Sequence, residues 1–181
     1  MPYLVNSLIR SYAFMRELET EIVEKFGNRL RTRVNGVLIK DNQILLIKHR
    51  MAEGRYFWNV PGGGMKYGSN AIDNLKREFL EETGLEIVVG DFLCVYEYLD
   101  KPLHAVELYY EVKEVGGTLK LGKDPELEND KQLIMEIAYL DIEKLRFIKK
   151  SDKHRLFWEI NDLNEVLKWK GYFNFENNSI K

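Results

Sequence analysis

The sequence predicts an α/β fold in which a mixed sheet carries helices on its faces. The order of elements predicts it: β-rich runs come first, one amphipathic helix follows at residues 70–83, and further strands and then helical segments complete the chain. Strands first, one central helix, more strands and then helices give a mixed sheet covered by helices on its faces. At 181 residues the chain suits one domain with a full core. Composition is ordinary, with 31% charged residues and a net charge of −2, which excludes a polybasic nucleic-acid-coating protein.

Residues 8–26 place Leu8, Met15, Leu18, Ile22 and Phe26 at helical spacing, and Gly27-Asn28 supplies a stop. This extra N-terminal helix suits packing on the domain or a homodimer contact. RTRVNGVLI and QILLIKH flank a polar turn at Lys40-Asp41-Asn42 and read as a hairpin. YFWNV is a short strand before Pro61. After the central helix, IVVGDFLCVYEYL and LHAVELYYEV read as an antiparallel pair joined across Asp100-Lys101-Pro102. EVGGTLKLGKDPELENDKQ suits a loop or short hairpin, QLIMEIAYL a strand, DIEKLRFI a short helix, HRLFWEINDLNEVLKWK one or two helical segments, and FENNSIK a tail. The expected division is an N-terminal helical extension at 1–30, the main domain at 31–170 and a tail at 171–181.

The lone Cys94 lies in an apolar run, which excludes an intramolecular disulfide and predicts a buried, inert thiol. No apolar stretch approaches the roughly 20 residues of a membrane span, and the first residues do not read as a leader. A cytoplasmic protein acting on a small molecule, without membrane or nucleic acid, is the expectation.

The central helix carries the chemistry. At about 100° per residue, Ile72, Leu75 and Phe79 form an apolar stripe, and Glu78, Glu81 and Glu82 share one arc beside it. Ser69 or Asn70 caps the start and Gly84 supplies the stop. Like charges one turn apart cost a few tenths of a kcal/mol each, a cost that a bound cation removes. Before the helix, Gly62, Gly63 and Gly64 allow backbone to approach a ligand or metal closely.

The segment from Gly63 to Leu85 resembles the Nudix box, G-x5-E-x7-R-E-U-x-E-E-x-G-U with U an apolar residue. Gly63 opens it, and Arg77, Glu78, Phe79, Glu81, Glu82, Gly84 and Leu85 fall in register. With the flanking strands, the resemblance covers about residues 31–148. It implies an α/β/α sandwich with a mixed central sheet that hydrolyses the diphosphate linkage of a nucleoside diphosphate derivative with Mg²⁺ or Mn²⁺. It further implies Glu78 and Glu82 as metal ligands, Glu81 as a third ligand or a water-orienting base, Gly63 as a backbone contributor to the metal site, and Arg77 as a residue that orients a glutamate. Carboxylates suit such a hard cation, which keeps several waters.

The box departs from the pattern at Ser69, where a glutamate is expected, and Lys66 stands where many relatives carry an acid. Lys66 and Arg50 are candidates for substrate phosphate. A base from outside the box has candidates in Glu97, Glu107, Glu126, Glu128 and Glu136. His49, His104 and His154 lack metal-ligand spacing and read as structural or surface residues, while Tyr56, Phe57 and Trp58 read as core aromatics before base-stacking ones. Two functions follow: a metal-dependent pyrophosphohydrolase acting on ADP-ribose or a related nucleotide, and a Nudix fold that binds a nucleotide or protein without useful turnover.

Overall fold

The computed structural model describes residues 20, 23–24, 26–51, 54–122 and 133–174. The helix expected over residues 8–26 lies almost wholly outside them, as do Glu126, Glu128 and the FENNSIK tail. The elements are β1 (Leu30–Val37), β2 (Ile39–Lys40), β3 (Gln43–Arg50), β4 (Tyr56–Asn59), β5 (Gly62–Gly64), α1 (Ala71–Thr83), β6 (Leu85–Asp100), β7 (Leu103–Gly117), β8 (Ile134–Leu140), α2 (Ile142–Phe147) and β9 (Tyr172–Asn174), with 3₁₀ turns between α2 and β9.

One sheet runs β5-β1-β7-β6-β9. It is mixed, because β1–β7 and β6–β9 are parallel while β5–β1 and β6–β7 are antiparallel. In the other sheet β3 pairs with β8 along one edge, and β2 and β4 share its other edge. The antiparallel pair expected across Asp100-Lys101-Pro102 is formed by β6 and β7.

The expected hairpin of RTRVNGVLI with QILLIKH forms only at its tip. Ile39 and Lys40 pair with Ile44 and Gln43, and Asp41 and Asn42 turn the chain with φ of 51° and 57°, as a tight hairpin turn requires. β1 itself leaves this sheet for a central place between β5 and β7. It is buried from Val34 to Val37, so the backbone groups along both of its edges need hydrogen-bond partners, which β5 and β7 supply and a hairpin alone does not. Tyr172–Asn174, expected as part of the tail, instead pairs with β6.

Two cores result, one on each side of the strands. Val34, Leu38, Leu45, Leu85, Ile87 and Val112 pack under Leu75 and Phe79 of α1. Val37, Ile44, Leu46, Trp58, Tyr109, Leu145, Phe157 and Trp169 fill the side covered by α2 and the 3₁₀ turns. Gly36 makes the first layer thin, since a Cβ there would meet Phe79 Cε2 at 2.4 Å. Ile72, expected in the apolar stripe, is 36% exposed. The inward position in the first turns belongs to Asn74, whose side chain accepts from Lys66 N at 2.9 Å and donates to Asn70 O at 2.7 Å.

Candidate active site

Helix α1 presents the carboxylates because both of its ends are fixed locally. Asn70, not Ser69, is the N-cap and accepts from Asp73 N at 2.9 Å, while Gly84 closes the helix in the left-handed region at φ 70°. The chain after β7 adds a second restraint. Thr118, Lys120 and Gly122 donate backbone N–H groups to the carbonyls of Gly84, Thr83 and Glu82 at 3.2, 2.9 and 2.9 Å, satisfying groups that a helix end leaves unpaired.

The glycine strand β5 lies against this helix. Gly62 N donates to Glu82 Oε2 at 2.8 Å, and Glu82 is buried. A Cβ on Gly63 would sit 2.4 Å from the Glu78 carboxyl, so glycine is required there for Glu78 to reach the strand. Arg77 pairs with both remaining oxygens of interest, Glu78 Oε1 and Glu81 Oε2, each at 2.6 Å. It also lies 3.4 Å from Gly64 O. Burial pushes the Glu78 carboxyl above its usual range more than Arg77 pulls it down. Burial works against the Arg77 cation, but Glu78 and Glu81 outweigh it and raise its pKa.

These residues fit a divalent cation by their donor chemistry: three carboxylates on one turn, one of them desolvated, beside glycine backbone that no side chain shields. Among the described residues no three acidic, histidine or cysteine side chains already converge as a cage. Arg77 occupies two of the carboxylates, and Glu82 is turned to Gly62.

Other residues singled out from the sequence fall around this centre or away from it. Lys66 and Ser69 are exposed in the turn before α1, where Ser69 N donates to Lys66 O at 3.2 Å. Arg50 ends β3 opposite Tyr56, and its guanidinium makes no ion pair with the box among the described residues. Glu136 pairs with Lys48 at 3.2 Å on the surface. Glu97 meets His104 at 2.8 Å and the hydroxyl of Tyr172. Trp58 is buried core, Phe57 sits edge-on to His154, and Tyr56 is exposed under Lys48 Nζ. The Cys94 thiol is buried, which pushes its pKa up to about 12.

Glu107 is the one described base candidate tied to the glycine strand, through a residue the sequence reading passed over. Arg33 Nη2 donates to Gly62 O at 3.2 Å, and Arg33 Nε lies 3.3 Å from Glu107 Oε1. Glu107 Oε2 accepts from the Tyr109 hydroxyl at 2.9 Å and lies 3.2 Å from His154 Nε2. Burial would raise the Glu107 pKa, but His154, Arg33 and Tyr109 together hold it below its ordinary value. Burial and the charge of Arg33 also lower His49, to about 4. Asn35, buried beside Gly62, has no hydrogen-bond partner for its side-chain amide among the described residues. Only the polar residues at alternate positions of β1, Arg31, Arg33 and Asn35, hinted at this group.

Comparison with known proteins gives a consistent result. The chain is 36% identical over 93 residues to an ADP-ribose pyrophosphatase of Methanocaldococcus jannaschii, covering 50% of this chain and 55% of that protein. It is 36% identical over 80 residues to an 8-oxo-dGTP diphosphatase of Buchnera aphidicola, covering 42% and 58%. The chain thus spans little more than half the length of these relatives. A NUDIX hydrolase from Nitrosomonas europaea has the same fold, with TM-score 0.58 at 19% identity over 77% of this chain and 87% of that one. An ADP-ribose pyrophosphatase from Streptococcus suis gives TM-score 0.53 at 17% identity over 79% and 98%. The NUDIX domain model matches residues 29–158, most of the sequence, and the chain belongs to that family.

Proposed function

We propose that the chain is a metal-dependent pyrophosphohydrolase that cleaves the diphosphate linkage of a nucleoside diphosphate derivative, ADP-ribose or a related nucleotide. The observation that carries this reading is the junction of α1 with β5, where Glu78 and Glu82 meet the backbone of Gly63 and Gly62. Relatives named ADP-ribose pyrophosphatase and 8-oxo-dGTP diphosphatase support the reaction class.

In this reading Glu78 and Glu82 hold Mg²⁺ or Mn²⁺ with Gly63 backbone, and Glu81 is a third ligand or orients the attacking water. When bound, the cation supplies charge against the diphosphate and makes water a better nucleophile. Arg77 holds Glu78 and Glu81 in place through charge-assisted hydrogen bonds. Lys66, exposed at the mouth of the glycine turn, and Arg50 are positions for substrate phosphate.

A second reading, a fold that binds nucleotide without turnover, is favoured by Ser69 in place of the box glutamate and by the hold of Arg77 on two carboxylates. The test is a screen of nucleotide sugars, nucleoside triphosphates and dinucleoside polyphosphates with Mg²⁺ or Mn²⁺, scored by release of phosphomonoesters. Metal-dependent turnover of any of them supports the enzyme. Nucleotide binding without turnover supports the second reading.

A further inference from the structure

Gly62 is held from both sides of its peptide units. Its N–H donates to Glu82 Oε2 at 2.8 Å and its carbonyl accepts from Arg33 Nη2 at 3.2 Å. Its φ of 152° is open only to glycine, and a Cβ would lie 2.1 Å from Val34 O. The backbone at this position has therefore no side chain of its own to lock it. The β1 ladder holds the peptide unit that carries this N–H, since Gly36 N donates to Pro61 O at 2.9 Å, and Arg33 takes the carbonyl of the next unit.

Arg33 and Glu107 face each other across the parallel β1–β7 register. Arg33 donates to Gly62 O with Nη2 and lies in ion-pair distance of Glu107 with Nε, which makes no hydrogen bond among the described residues. Glu107, 7% exposed, is in turn held by Tyr109 and by His154, which belongs to the segment covering the opposite core. Stability alone does not account for such a group, because buried ion pairs are often no better than well-packed apolar residues. Asn35, the other polar side chain on this stretch of β1, makes no bond to Gly62 that would replace Arg33.

We infer that Arg33, set beside Glu107, is a positioning residue: with the β1 ladder holding the Pro61–Gly62 unit, it holds the Gly62 carbonyl and so restrains on its second side the glycine whose N–H meets the Glu82 carboxylate. The bond Gly62 N–Glu82 Oε2 joins the proposed metal ligand to a chain of contacts ending at His154. The inference deepens the proposed function and rests on it for the role of Glu82 as ligand. Lysine does not replace arginine here, since an ammonium set to meet the Gly62 carbonyl cannot at the same time keep a planar charge beside Glu107.

The experiment follows the Gly62 amide by ¹⁵N–¹H NMR in the metal-free protein, and Mn²⁺ affinity by electron paramagnetic resonance, for the parent, Arg33→Lys and Glu107→Gln, with thermal melts alongside. The expected result is a shifted or broadened Gly62 resonance and about tenfold weaker Mn²⁺ binding in Arg33→Lys with melting retained, and a smaller effect on both readouts with a lowered melting point in Glu107→Gln, which takes the charge from a buried pair. An unmoved Gly62 resonance with unchanged Mn²⁺ affinity in folded Arg33→Lys overturns the inference, as does a lowered melting point with Gly62 unmoved. If Arg33→Lys does not fold, Glu107→Gln, which keeps the shape of the side chain, is read by the same criteria. The amide signal needs no metal, so a parent that binds no Mn²⁺ counts against the proposed function alone and leaves the positioning test decisive.

Discussion

Glu82 accepts the Gly62 amide at 2.8 Å, so the carboxylate nearest the C-terminal end of the glutamate turn is anchored to the glycine strand by one of its two oxygens. Glu82→Gln separates the two duties of this side chain. The amide oxygen still accepts from Gly62, and the packing is unchanged, but the charge is gone. We expect Glu82→Gln to keep its melting point within a few degrees and to lose most metal-dependent hydrolysis. Hydrolysis at the parental rate would remove Glu82 from the ligand set. Glu82→Ala leaves the buried Gly62 N–H without its partner and is expected to cost about 1–3 kcal/mol in urea unfolding as well.

Two glycines near the same helix predict opposite outcomes on replacement by alanine. At Gly63 the added Cβ meets the Glu78 carboxyl at 2.4 Å, the far end of a side chain that can swing away. Gly63→Ala should therefore leave stability within about 1 kcal/mol of the parent but displace Glu78 and weaken Mn²⁺ binding. At Gly122 the Cβ meets Glu81 O at 2.0 Å, which is helix backbone and cannot swing. Gly122→Ala should break the bond of Gly122 N to Glu82 O and destabilise the fold by about 2 kcal/mol or more. Chemical denaturation and metal titration of both variants check the contrast, and equal loss of stability in the two would refute it.

His49 gives the acid limb of stability a specific source. Its pKa is lowered from an ordinary 6.5 to about 4, because the partly buried ring is poorly solvated and Arg33 disfavours the imidazolium. Between these values the unfolded chain binds a proton that the folded one does not, so stability falls as pH drops from about 6.5 toward 4. The loss between pH 7 and 5 is at most about 2 kcal/mol. Glu107, with its pKa lowered, adds to the loss only once the pH reaches the carboxylate range, and Glu78, with its pKa raised, acts in the opposite direction. Urea unfolding of parent and His49→Gln at pH 7 and pH 5 should give a smaller difference in the variant. An identical pH dependence would mean that His49 does not set this limb.

The parts of the site that were legible in the sequence are those whose geometry is local. Helix α1, its Asn70 and Gly84 caps and the shared face of Glu78, Glu81 and Glu82 depend on residues within a few positions of one another. Arg33 and Glu107 meet only because β1 lies parallel to β7, a pairing that no local pattern specifies. The same reason explains the misread hairpin. The pattern of β1 fits a strand, but its partners β5 and β7 come from distant parts of the chain that local periodicity does not select. His154 read as a structural histidine, and its contact with Glu107 and Tyr109 could not be inferred before the C-terminal 3₁₀ segment was seen to cover that core. Ile72 failed as a core residue because Asn74 takes the inward place in the first turns to hold the backbone at Lys66 and Asn70.

Ser69 decides between the two functional readings. It is exposed, immediately before the N-cap Asn70, in the turn closed by its own amide on Lys66 O. Nothing in this position obstructs a longer side chain, and an acid there faces the positive end of the helix dipole, worth about 0.3–1 kcal/mol. Ser69→Glu should therefore fold at least as well as the parent. If the site is a metal site short of one carboxylate, the variant should also bind Mg²⁺ more tightly and turn over the best substrate from the screen about tenfold faster, equivalent to roughly 1.4 kcal/mol. Lys66→Glu, whose backbone is tied to Asn74 but whose side chain is exposed, should do less. Initial rates against Mg²⁺ concentration for the parent, both variants and their combination separate the cases. A fast parent that Ser69→Glu does not improve means that the missing glutamate is replaced from outside the box. A parent and variants that all bind nucleotide and hydrolyse none place the chain among the binding folds, with Arg77 still paired to Glu78 and Glu81 for a structural reason alone.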